Sequence, residues 1–84
     1  MRAEEVKRLI EIGLPGSIVQ VNGDDGVHFE AVIIADAFDG KGMLAQHRLV
    51  YATLGDRMHA EIHALSMRTY TPAEWEKVRE TTVQ

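Results

Sequence analysis

The 84-residue chain contains no cysteine. No disulfide can staple it, and any soft-metal centre in which it takes part must draw its thiolates from another molecule. A reducing compartment is allowed by that absence. Long apolar runs are missing too. No stretch approaches the roughly 20 residues of a membrane-crossing helix, and the opening MRAEEVKRLIEIG is charged and periodic, unlike a secretion signal. Basic residues are in deficit, nine against thirteen acidic ones, for a formal net charge of −4. That argues against a strong nonspecific grip on nucleic acid, which draws on a basic footprint. The chain also has no G-x-S-x-G, no Walker loop and no dinucleotide fingerprint. Ser17 and Ser66 have no evident base-and-orienter arrangement around them. The expectation is one small, soluble, cytoplasmic domain over residues 1–84, with a thin margin of stability and no catalytic function.

What is present is ordered local structure. Residues 3–12 read as a helix, with Val6, Leu9 and Ile10 on one apolar stripe and Glu4 and Glu5 at the end where acid suits the helix dipole. Gly13 is expected as a left-handed C′ glycine, Leu14 to fold back on the last turn, and Pro15 to prevent continuation. Residues 17–22 form a candidate strand with Val19 and Val21 on one face. Asn22-Gly23-Asp24-Asp25-Gly26 is dense turn chemistry, and residues 27–35 are apolar and β-branched, so the two runs should pair as a hairpin. Phe29, Ala31 and Ile33 would share one face and His28, Glu30, Val32 and Ile34 the other. Neither face is cleanly polar, so the pattern does not say which one meets the helices. Residues 36–42 read as a loop anchored by Phe38. Residues 43–54 read as a second helix, with Met43, His47, Val50 and Leu54 on one stripe and Leu44, Arg48 and Tyr51 beside it. A short turn over residues 56–58 is allowed.

The most informative stretch is residues 61–75, EIHALSMRTYTPAEW. It begins as a strand, with Ile62, Ala64 and Ser66 alternating against His63, Leu65 and Met67. It ends as a helix start: Thr71 caps, Pro72 takes the first helical position and Glu74 completes a capping box. The last helix is expected from Pro72 to about Glu80, turning Trp75 and Val78 inward, with the tail fraying. The element order is α-β-β-α-(α)-β-α, an α+β fold with a three-stranded sheet. The long helical connection before the last strand suggests a parallel pair, hence a mixed sheet.

IHALSMRTYTPAEW, with HFEAVIIADAFDGK (residues 28–41) and HRLVYATL (residues 47–54) upstream, resembles the BolA family. The resemblance covers roughly residues 4–78. The short loop before His28 is most similar to the family's IbaG branch, linked to acid stress. It implies a BolA-like, type II KH-like fold. It also implies a non-enzymatic adaptor that binds a monothiol glutaredoxin and shares a [2Fe-2S] cluster with it, the thiolates coming from the glutaredoxin and from glutathione. That role belongs to iron–sulfur cluster trafficking and the stress response. No cluster is expected on the isolated chain, which would be a monomer or weak homodimer.

From spacing alone, His63 reads as a strand-start histidine packed beside Leu65; the resemblance makes it the family's C-terminal cluster ligand. A neutral imidazole can replace thiolate on iron, and because imidazole titrates near neutrality, such ligation offers a route to acid sensing. For His28 two readings stand together. It is the only imidazole near the loop where the family places a second ligand, and it also matches the family's histidine–phenylalanine pair at a strand start. Asp24 and Asp25 are poor soft-metal substitutes. His47 and Arg48 match a family pair on the second helix, and His47 reads as a core histidine. His59, Glu61 and His63 could share a strand face around zinc, although a closed site needs four ligands. Tyr70 and Trp75 could stack bases but read as the seal between the last helix and the sheet. The alternative function is a KH-like nucleic-acid-binding regulator. Against it, Gly40 and Gly42 are one residue apart where KH domains carry GxxG.

Overall fold

A computed structural model describes residues 1–55 and 64–82. The chain runs α1 (Ala3–Gly13), β1 (Ile18–Asn22), β2 (His28–Ile34), a 3-10 turn (Asp36–Phe38), α2 (Met43–Leu54), β3 (Ala64–Tyr70) and α3 (Pro72–Thr82). Among the described residues this is an α+β architecture of three helices on a three-stranded mixed sheet. The candidate turn at residues 56–58 lies outside the described residues.

The strands lie in the order β1-β2-β3. β1 and β2 pair antiparallel, with Val19 opposite Ile33 and Val21 opposite Ala31. β2 and β3 pair parallel, with His28 opposite Ala64, Phe29 opposite Leu65 and Ile34 opposite Tyr70. The alternation then decides what the apolar pattern left open. Phe29, Ala31 and Ile33 are buried, and with Val19 they form the floor of the core. Val6 and Ile10 of α1, Val50 and Leu54 of α2, and Phe38 from the 3-10 turn close it. Each large side chain fully buried there contributes roughly 1.5–3 kcal/mol of transfer free energy. Leu65 and Met67 of β3 pack against the same cluster, while Ser66 between them is exposed.

Two expectations are corrected. Gly13 is not a left-handed C′ residue: it closes α1, and positive φ falls on Gly16 instead. A side chain is excluded at Gly13 because an added Cβ would lie 2.7 Å from Thr53 Cβ on α2. Leu14 caps α1, its amide donating to the Ile10 carbonyl at 2.8 Å, and its side chain is buried in the core cluster. On α2 the expected span is observed, but Met43 and Leu44 are 72% and 64% exposed. The buried face is Gln46, Val50 and Leu54, and Gln46 is buried because its amide is fully used. Its Nε2 donates to the carbonyls of Phe38 (3.3 Å) and Lys41 (2.8 Å), and its Oε1 accepts the Thr69 hydroxyl (2.6 Å).

The capping box at α3 forms as expected. The Glu74 amide donates to Thr71 Oγ1 at 3.1 Å, and the Thr71 amide donates to Glu74 Oε1 at 2.8 Å. The helix runs to Thr82, two residues beyond the expected end. The Tyr70 and Trp75 rings pack with centroids 5.4 Å apart, tilted by 52°. Tyr70 shares the outer sheet face with Ile34, so α3 meets that face at the Ile34 end. Among the described residues no element covers the His28 end of the same face, where His28, Glu30 and Ser66 are exposed.

Candidate functional site

The open end of the outer face is built on the β1–β2 connection. Asp25 organises it. Its Oδ1 accepts the backbone amides of Val27 (2.9 Å) and His28 (2.8 Å), a side chain standing in for a turn carbonyl. Gly26, between Asp25 and Val27, takes φ +74°, the left-handed conformation glycine adopts without strain. Gly23 allows the loop to lie against the strand: an added Cβ there would sit 2.6 Å from the His28 carbonyl oxygen.

With Oδ1 occupied, Oδ2 of Asp25 is left for the His28 ring, whose Nδ1 lies 2.8 Å away. The His28 side chain is 71% exposed. These bonds hold the Asp25 carboxyl well below the usual carboxylate range, first through the backbone amide of His28, then through its ring, then through the Val27 amide. His28 borders a groove of about 510 Å³ shared with Asn22, Asp24, Glu30 and Ser66. A trough of about 490 Å³ continues along the strands past Val32 and Arg68. Asn22, Glu30 and Ser66 line both, so the two form one polar channel across the open face.

His47 lies elsewhere, half-buried on α2. It borders a groove of about 390 Å³ with Lys41, Met43, Glu74 and Arg68, and Arg68 also lines the trough. The core role expected for it is met only in part, and Arg48 is exposed. His63 falls outside the described residues, as do His59 and Glu61. Among the described residues no three histidine, aspartate or glutamate side chains converge as a metal-holding cluster. No helix among them is long and apolar enough to cross a membrane. The sequence marks Asp25 as a turn residue and a poor soft-metal ligand, but its contact with the His28 ring is not among the expectations. The D-x-x-H spacing was the available signal, since an aspartate that caps its own turn can reach the side chain three residues on.

A family model described as BolA-like protein matches residues 15–74. The chain belongs to the BolA family. Among BolA-family relatives, the acid stress protein IbaG of Escherichia coli K12 is 34% identical over 94% of this chain and 94% of its own length. The DNA-binding transcriptional regulator BolA of the same organism is 41% identical over 64% of this chain, a match that spans about half (51%) of that protein. The solved structure of a BolA homologue from Coxiella burnetii superposes with a TM-score of 0.81 at 48% identity, covering 90% of this chain and 97% of the homologue. The mixed three-stranded sheet is thus the BolA fold.

Proposed function

We propose that this chain is a non-enzymatic BolA-type adaptor of the cytoplasm. It binds a monothiol glutaredoxin and, with glutathione, shares a [2Fe-2S] cluster in iron–sulfur trafficking and the stress response. The observation that carries this is the β2–β3 register. His28 pairs with Ala64, and Ala64 is the residue after His63 in sequence. His28 and Ala64 therefore lie at one end of one sheet, and this supports the reading. With no cysteine available, imidazole is the donor the chain can offer to iron, and a neutral imidazole can take the place of a thiolate. His28 suits that chemistry: it is exposed, and its second ring nitrogen is held by a carboxylate, as in most metal-facing histidines.

The test is visible absorption and circular dichroism as the protein is titrated into a cluster-loaded monothiol glutaredoxin. A new cluster spectrum is expected, lost in His63→Ala and weakened in His28→Ala. A spectrum that does not change on addition would remove cluster sharing. Binding without spectral change would leave an adaptor whose contact surface matters more than its histidines.

A nucleic-acid-binding regulator is the second reading, favoured by the name of the E. coli BolA relative and by Lys41, His47 and Arg68 around one groove. Net charge −4 and the single residue between Gly40 and Gly42 weigh against it. Duplex binding at low micromolar affinity with a steep salt slope is what it requires, and a flat slope would end it.

A further inference from the structure

We propose that Asp25 is a positioning residue that fixes the tautomer of His28, leaving Nε2 as the free acceptor of the ring. The argument is geometric. An ionised carboxylate can only accept, so the 2.8 Å contact between Asp25 Oδ2 and His28 Nδ1 requires the proton on Nδ1. In a neutral ring the lone pair then resides on Nε2. The carboxylate cannot swing away cheaply, because its other oxygen is clamped by the amides of Val27 and His28. One turn thus shapes the loop and orients the ring. His28 is exposed at the polar groove with Asn22, Glu30 and Ser66, where a partner-borne metal centre can be met by a bare nitrogen. What uses that nitrogen rests on the ligand role given to His28 above. The tautomer lock itself does not.

Asparagine separates the two. In Asp25→Asn, Oδ1 still accepts the two amides and keeps the turn. The side-chain NH₂ then faces His28 Nδ1 and can only donate, so the ring proton moves to Nε2 and the acceptor is lost. A comparable exchange in a Ser-His-Asp triad leaves geometry intact and yields the wrong tautomer. Asp25→Ala removes the hold altogether.

Long-range ¹H–¹⁵N NMR of the His28 ring, at a pH where free imidazole is neutral, reads the outcome directly. The expected result is protonated Nδ1 in the parent protein and protonated Nε2 in Asp25→Asn. Cluster retention in the complex with glutaredoxin should fall on the order of 10–100-fold in Asp25→Asn and Asp25→Ala, and no further when either is combined with His28→Ala. A ring that stays protonated on Nδ1 in both variants overturns the proposal. So does an equal loss from Asp25→Asn in the His28→Ala background, because Asp25 would then act without the ring. If the tautomer inverts as expected but His28→Ala retains the cluster fully, the ligand role of His28 falls and the tautomer lock stands. Urea denaturation of each variant serves as the check on folding.

Discussion

Gln46 carries more than its position on a helix suggests. It ties the 3-10 turn, the segment before α2 and strand β3 together through one amide. Gln46→Ala leaves the Thr69 hydroxyl and two carbonyls without their partner, and the expected cost is about 1–3 kcal/mol, read from the urea midpoint. Thr69→Val should cost less, and the two changes should be non-additive because they remove the same bond. Asp25 makes a prediction of a different kind. Its bonds exist only in the folded chain and lower its pKa there, whereas an unfolded aspartate titrates near about 3.9. The stability it contributes is therefore fully present above that value and is lost as pH falls through the folded-state range. Asp25→Ala should be less stable than the parent at neutral pH, and the gap should close as pH drops below about 4. A gap that persists unchanged into acid would mean that the Asp25 bonds do not form in solution. Here the sequence was legible only in part: His28 stood out as an imidazole beside a loop, but its partner did not. The Asp25 contact depends on where two backbone amides point, and composition carries no trace of that.

At the scale of elements, the ends of helices were more legible than their faces. The Thr71–Glu74 box is a local pattern, satisfied by residues three apart, and it forms as its spacing demands. Thr71→Ala should cost about 1 kcal/mol, measurable by thermal or urea unfolding. Val50 and Leu54 of the expected α2 stripe are buried, but hydrophobicity alone does not locate the rest of that face. Met43 and Leu44 lie at its exposed start, while a polar residue occupies the core. Only the tertiary partners of Gln46 decide that, and they lie in other elements. Gly13 shows the same limit. Inside a helix, Gly→Ala ordinarily gains up to about 1 kcal/mol. At Gly13 the new methyl would press on Thr53, so Gly13→Ala should destabilise the protein despite its better propensity. A gain in stability would mean that α1 and α2 pack less closely than this.

For the whole molecule, element order and the mixed sheet were readable because each strand and helix has its own punctuation and the long α2 connection implies a parallel return. The identity of the core face was not readable, because the outer face of β2 mixes His28 and Glu30 with Val32 and Ile34 and so is not cleanly polar. Phe29, Ala31 and Ile33 face α1 and α2, whereas Ile34 is buried at the end of the outer face where Tyr70 meets Trp75. That asymmetry sets a gradient of stability. β2 is the central strand, paired on both sides, and it carries the buried floor of the core. α3 is held to the sheet by residues that are only half-buried, Trp75 and Val78 among them. Its opening should expose little apolar area, whereas opening β2 requires dismantling the core. Native-state hydrogen exchange should therefore find the amides of Phe29, Ala31 and Ile33 exchanging only through global unfolding. The amides of α3 should exchange through a local opening of lower free energy and weaker dependence on denaturant. Trp75→Ala should widen that gap, accelerating α3 exchange far more than β2 exchange. Equal protection in the two elements would show that α3 is an integral part of the cooperative core and that the outer face is more firmly closed at its Ile34 end than the packing of Tyr70 on Trp75 implies.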